Sequence, residues 1–235
     1  MADSKGVNPI IIALDVDSVH EARSLVRRIG AGTSFYKVGL ELYSVSGVEF
    51  VKELLGEGKQ VFLDLKLYDI GETVKRATAR IAELGVTFLT VHAVNQVMMA
   101  AAAGRGESAL QILAVTVLTS FDQSDVDDMG YRMPLSELVA IRAKQALAAK
   151  MDGLICSPLD VSTIRGLTGP GMRLVTPGVR STGAATGDQK RVATPQQAIL
   201  DGADYLVIGR QVTRAPDPHE ACEAILAEIS QQPVR

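Results

Sequence analysis

Eight short apolar runs punctuate the chain from end to end, and no other feature limits its possible folds as much. They are Pro9 to Val16, Phe35 to Leu40, Gln60 to Leu67 and Phe88 to Ala93, followed by Gln111 to Leu118, Gly153 to Ser157, Met172 to Pro177 and Tyr205 to Arg210. Each is near-continuously apolar rather than alternating, as a strand covered on both faces should be. Segments of helical character lie between them, among them Val19 to Arg28, Leu135 to Lys150 and Pro195 to Asp201. Strand–helix alternation predicts a parallel sheet. Eight such units predict an α/β fold closed as a (β/α)8 TIM barrel, a single domain over residues 1–235. The alternative is an open doubly wound sheet. That fold would ordinarily carry a GxGxxG turn after its first strand, where this chain has Asp15-Val16-Asp17-Ser18.

The third run, VFLDLKL, holds charges where none are expected. Side chains alternate along a strand, so Asp64 and Lys66 point one way while Leu63, Leu65 and Leu67 point the other. With the leucines against surrounding helices, both charges face the barrel interior. An unpaired buried charge is prohibitively costly, so each needs a partner. Taken alone, the pair reads as a structural ion pair, as a strand that ends early in water, or as site chemistry. Neighbouring runs tip the reading to chemistry. Lys37 interrupts FYKVGL, Asp15 closes PIIIALDV, and Asp69 follows at or just beyond the end of the third strand. Parallel barrels place their catalytic groups at such strand ends.

The eighth run ends in Gly209-Arg210. Loops after the seventh and eighth strands of a barrel often bind phosphate, where a glycine admits the backbone and an arginine can grip oxygens bidentately. Arg180 and Gln189 stand in the long non-periodic stretch Gly178 to Thr194 and can supply further donors. That stretch reads either as a floppy insertion or as a closing lid over about 178–194, and its place after the seventh strand favours the lid. His92 ends the fourth run and reads at least as well as a wall residue as a proton carrier. His20 and His219 read as surface residues. No set of His, Cys and carboxylates has metal-ligand spacing, so no metal is expected, and neither GxSxG nor a Walker A sequence is present.

Composition excludes some partners. A net charge of −3 leaves no basic excess for a phosphate backbone, and nucleic acid is not an expected ligand. No apolar run approaches the ~18 residues needed to span a bilayer. The opening MADSKGVNPI carries no signal-like apolar stretch, and the two cysteines, Cys156 and Cys222, suit a reducing compartment. A soluble, cytoplasmic protein is expected.

The stretch Asp64-Leu65-Lys66-Leu67-Tyr68-Asp69-Ile70 with Thr73 resembles the signature of the orotidine 5′-phosphate decarboxylase family. The resemblance runs over nearly the whole chain, through IIIALDV, YKVGLEL, AVTVLTS, TPGVR and YLVIGR. DxKxxD alone is shared with a wider group that includes 3-keto-L-gulonate-6-phosphate decarboxylase and hexulose-phosphate synthase. The added Ile70 and Thr73, the Pro177 segment, and Gln189 with Arg210 are what point to the orotidine member. The family commonly reads HDIPNT where this chain has YDIGET, so Tyr68, Gly71 and Glu72 depart from its pattern beside the charged set.

The resemblance implies a cofactor-free lyase that converts orotidine 5′-monophosphate to uridine 5′-monophosphate and CO₂ in pyrimidine biosynthesis. Lys37, Asp64, Lys66 and Asp69 would form an alternating charge network. Asp69, Ile70 and Thr73 would reach across a homodimer into the partner's site. Asp15 and Lys37 would hold ribose hydroxyls, Thr119 would contact the pyrimidine, and Arg180, Gln189, Gly209 and Arg210 would form or adjoin the phosphate grip. Two other readings compete. One is a Mg²⁺-dependent sister acting on a sugar phosphate, and the other is a barrel that only binds a phosphorylated ligand. A purely structural scaffold fits least, since burying four alternating charges serves no packing need.

Overall fold

Strands that are apolar on both faces need a layer on each side, and the computed structural model, which describes residues 8–183 and 191–230, supplies both. The strands are β1 (Ile10–Ala13), β2 (Phe35–Gly39), β3 (Gln60–Leu67), β4 (Phe88–His92), β5 (Gln111–Val115), β6 (Gly153–Ile155), β7 (Arg173–Pro177) and β8 (Tyr205–Ile208). All pair in parallel in chain order, and β8 closes onto β1 through Ile10 opposite Leu206 and Ile12 opposite Ile208. The expected single-domain (β/α)8 barrel is therefore the fold.

Helices fill the connections. They are α1 (Val19–Ile29), α2 (Leu40–Gly56), α3 (Gly71–Leu84), α4 (Asn95–Arg105), α5 (Gln123–Asp128), α6 (Leu135–Ala148), α7 (Val161–Thr168), α8 (Pro195–Leu200), α9 (Arg210–Thr213) and α10 (Pro218–Ser230). Local chemistry marks where they start. Ser18 accepts a bond from the Glu21 N–H to open α1, and Thr194 does the same from Gln197 for α8, with Pro195 in the first turn. Asp122 and Asp125 form a reciprocal capping box at α5.

Two apolar layers result. One lies between strands and helices and takes Leu63, Leu89, Leu174 and Leu206. The other fills the barrel, from Phe35, Phe88 and Tyr205 up to Ala13, Val115 and Val207. Phe35, Phe88 and Tyr205 stand at the first residues of their strands with ring centroids 5.1 to 5.8 Å apart. This aromatic plug closes the barrel interior at its N-terminal end, so among the described residues the interior opens toward the C-terminal ends of the strands.

Most strands stop short of the apolar runs that announced them. The first run was expected to reach Val16 and the fifth Leu118, yet β1 ends at Ala13 and β5 at Val115. Val16 and Val117 are still buried, but in connections packed under the barrel rim rather than in the ladder. Helix ends moved by no more than two residues. Both cysteines are buried and free, and burial pushes the Cys156 thiol up to about 12 and Cys222 up to about 11. Among the described residues, no helix is long and apolar enough to cross a membrane.

Candidate active site

Three adjacent strand ends bring the charged side chains together. Lys37 Nζ on β2 lies 2.8 Å from Asp15 Oδ1, just beyond β1, and 3.4 Å from Asp64 Oδ2 on β3. Lys66 Nζ lies 2.9 Å from Asp64 Oδ1. The order Asp15, Lys37, Asp64, Lys66 thus alternates in sign along one wall. The side chains of Lys37 and Asp64 are only 9% and 12% exposed, while that of Lys66 is 37% exposed and reaches the open space. Burial by itself would raise the Asp64 pKa, but the Lys37 and Lys66 ammoniums and the bonds from Lys66 and Thr90 outweigh it and hold the carboxyl below its ordinary range. Burial would likewise lower Lys37, and Asp64 and Asp15 reverse that and raise it. Both groups are charged at neutral pH.

The backbone at Lys66 departs from a regular strand. The β3–β4 ladder pairs Leu63 with Leu89 and then Leu67 with Val91, so the register slips between them, and Lys66 has a φ of 47°. For a residue with a Cβ this conformation costs on the order of 1–3 kcal/mol and persists only where surroundings enforce it. Here the Lys66 N–H donates to Thr90 Oγ1 at 2.9 Å, and the Thr90 hydroxyl donates to Asp64 Oδ1 at 2.9 Å. Gly39 makes room for the row, since a Cβ there would lie 2.9 Å from Lys37 Nζ and 3.1 Å from Asp15 Oδ1.

The row forms one wall of a cavity of about 430 Å³ at the C-terminal mouth of the barrel. Phe62, Val115, Ile155 and Val207 line it with apolar surface, and Thr119 and Pro177 border it. Arg180, Gly209 and Arg210 stand around it as well. Gly178, at φ 82°, turns the chain out of β7, and the Arg180 N–H donates to the Ala193 carbonyl at 3.0 Å, joining the two limbs of the loop. Gln211 bonds Ser181 twice, accepting from its N–H at 3.2 Å and donating to its Oγ at 2.6 Å. The neighbours of Arg180 and Arg210 are therefore tied to each other. Gln189, and residues 184–190 of the expected lid, lie outside the described residues.

Asp69, Ile70 and Thr73 do not line this cavity within one chain. They lie exposed, Asp69 and Ile70 on the β3–α3 connection, where Asp69 Oδ1 accepts the Ile70 N–H at 2.6 Å, and Thr73 in the first turn of α3. Tyr68 and Ile70 are 69% and 75% exposed, unusual for large apolar side chains. Sequence reasoning missed Thr90, Gly39 and Gln211. A threonine in a strand and a glycine before a helix carry no signal of their own, and Gln211 gains meaning only from the loop folded onto it. Among the described residues, no group of three or more His, Cys, Asp or Glu is arranged to hold a metal ion.

His92 ends β4 with its ring centroid 5.5 Å from that of Tyr68. Burial, then the Arg142 and Lys66 charges, lower its pKa from the ordinary 6.5. An unfolded imidazole takes up a proton before the folded one does, so folding stability declines as pH falls below 6.5. His92→Gln is expected to flatten the decline in Tm between neutral and mildly acid pH, and parallel wild-type and variant profiles would show that His92 contributes nothing to it.

Comparison with known proteins bears on this geometry. Residues 8–225 match the family model described as orotidine 5′-phosphate decarboxylase / HUMPS family. A protein of Rhodopseudomonas palustris (strain BisB5) named orotidine 5′-phosphate decarboxylase is 53% identical over 230 residues, covering 98% of each chain. One of the same name from Nitrobacter winogradskyi is 51% identical over 94% of this chain and 92% of its own. Among solved structures, orotidine 5′-phosphate decarboxylase from Lactobacillus acidophilus superposes with a TM-score of 0.84 at 36% identity, covering 96% of this chain and 100% of that one.

Proposed function

This chain belongs to the orotidine 5′-phosphate decarboxylase / HUMPS family and is a carboxy-lyase, and we propose that it converts orotidine 5′-monophosphate to uridine 5′-monophosphate and CO₂ without a cofactor, as a step of pyrimidine biosynthesis. The observation that carries the reading is the Asp15–Lys37–Asp64–Lys66 row facing a cavity that Arg180 and Arg210 also line. Breaking the bond between C6 and the carboxylate leaves an electron pair in the ring plane, with no adjacent π-system to spread it. An ammonium fixed beside C6 is preorganised for charge that develops only in the transition state. Lys66 takes that role and then gives its proton to C6, regaining one from water. Asp64, held ionised by its two lysines, stands beside the departing carboxylate, and their repulsion is relieved as CO₂ leaves.

The remaining side chains hold the nucleotide. Asp15 and Lys37 take ribose hydroxyls, Thr119 the pyrimidine, and Pro177 its bordering wall, while Arg180, Gln189, Gly209 and Arg210 grip the phosphate. Binding energy from that remote group helps to order the charged row. Arg210→Ala is accordingly expected to raise KM and to lower kcat as well, with kcat/KM down by roughly 10³-fold. Unchanged kinetics would remove Arg210 from the site.

The functional protein is proposed to be a cytoplasmic homodimer in which Asp69, Ile70 and Thr73 complete the partner's site. Exposed Tyr68 and Ile70, beside the mouth, are the apolar surface that such an interface would cover. Mixing inactive Lys66→Ala with inactive Asp69→Asn protein should restore about a quarter of wild-type activity, because half of the reassorted dimers hold one intact site of two. No recovery after verified subunit exchange would rule out shared sites.

The direct test follows the ultraviolet absorbance of orotidine 5′-monophosphate with purified protein, with and without EDTA. Rapid conversion indifferent to EDTA is expected. A folded protein that leaves the substrate intact would discard this function, and activity lost to chelation would discard the metal-free mechanism.

A further inference from the structure

We propose that Thr90 is a positioning residue, whose single hydroxyl fixes both the carboxylate of Asp64 and the strained backbone of Lys66. The inference rests on the proposed function and concerns how its central pair is held. Thr90 is fully buried on β4 and does not line the cavity, so it acts only through other groups. Its Oγ1 has two partners 2.9 Å away, the Lys66 N–H as donor and Asp64 Oδ1 as acceptor.

Each bond answers a need created by the register slip. The β3–β4 ladder pairs Leu63 and then Leu67, passing over Asp64, Leu65 and Lys66. The Lys66 N–H thereby has a side-chain hydroxyl as its acceptor in place of a strand carbonyl, and a buried N–H without one is strongly disfavoured. Its left-handed φ of 47° needs that bond to be over-determined. On the other side, Asp64 Oδ1 receives the Thr90 hydroxyl as well as Lys66 Nζ at 2.9 Å, while Oδ2 faces Lys37 Nζ at 3.4 Å. Without the hydroxyl, the carboxylate keeps its two lysine partners but loses the bond that fixes its orientation from β4, and the Lys66 backbone loses the contact that sets where its ammonium begins. The reacting pair thus hangs from one oxygen atom on a neighbouring strand.

The test compares Thr90→Val, which keeps the shape and removes the hydroxyl, with Thr90→Ser, which keeps the hydroxyl. Thr90→Val is expected to lower kcat for orotidine 5′-monophosphate by about 100-fold, with KM within about threefold, since the phosphate grip is elsewhere. Thr90→Ser is expected to stay within about threefold of wild type in both constants. If circular dichroism shows Thr90→Val unfolded, Thr90→Ala against Thr90→Ser gives the same contrast. Equal kcat with and without the hydroxyl, or a loss confined to KM, overturns the proposal. Hydrogen exchange at the Lys66 amide separates this from failure of the proposed function, because it needs no substrate. Exchange should be slow in wild type and Thr90→Ser and fast in Thr90→Val, and equal rates would refute the clamp even if wild type left orotidine 5′-monophosphate unconverted.

Discussion

Lys66→Ala is expected to lower kcat by about 10⁴-fold or more, because in the proposed mechanism one ammonium serves two tasks that are each worth orders of magnitude: fixed charge for the carbanion and delivery of its proton. The fold should survive. The Lys66 side chain is more than a third exposed, and its removal leaves Asp64 still paired with Lys37 and bonded to Thr90. The variant should therefore keep a wild-type circular dichroism spectrum and bind the product nucleotide through the opposite rim. Steady-state turnover beside a binding titration separates the two effects. A folded Lys66→Ala protein with near-normal kcat would end the assignment of Lys66 as the carbanion partner.

Asp64→Asn is expected to injure both stability and catalysis. Among the described residues Asp64 is the carboxylate that pairs with both Lys37 and Lys66, and removing its charge leaves Lys37, almost wholly buried, with Asp15. Breaking a buried pair from one side costs about 3–5 kcal/mol, because the abandoned charge remains desolvated. In a chain of this size that should lower Tm by roughly 10 °C. Turnover should fall by roughly 10³-fold, since Lys66 then loses the carboxylate that holds its ammonium and Lys37 keeps Asp15 alone. The two effects are separable. Adding Lys37→Met removes the stranded ammonium and should return part of the lost Tm without returning activity. A single Asp64→Asn variant that melts with wild type would mean that the row is solvated enough to dispense with its central charge.

The sequence was most legible where it broke its own local pattern. Asp64 and Lys66 stood out because they interrupt an apolar strand, and the structure places them on the interior face with Leu63 on the outer one. The eight strands were legible because burial on both faces leaves few polar residues to obscure them. Their ends were not, because Val16 and Val117 are as apolar as any strand residue yet pack in connections. The slip at Lys66 was hidden for a related reason. Strict alternation assumes an even ladder, and nothing in the letters LDLKL marks residues that the neighbouring strand passes over. Thr90 was hidden within FLTVHA because β-branched residues are ordinary in strands. The part proposed for Asp69, Ile70 and Thr73 came from resemblance alone, and a single chain leaves them at its surface.

The pairing of β1 with β8 has a consequence for how the molecule is made. Ile10 and Leu206 are ladder neighbours, although nearly the whole chain separates them. During synthesis the sheet grows from β1 toward β7 with two open edges, each a row of unpaired N–H and C=O groups. Only when β8 leaves the ribosome can the ring close and both edges vanish together. Closure at so great a sequence separation is slow to nucleate, and until then the nascent sheet can pair with other unfinished copies. Asp15 follows β1 at that seam, so the strand before it gains its second neighbour only when β8 arrives, and a chain halted before β8 is expected to be an adhesive intermediate rather than a weak enzyme.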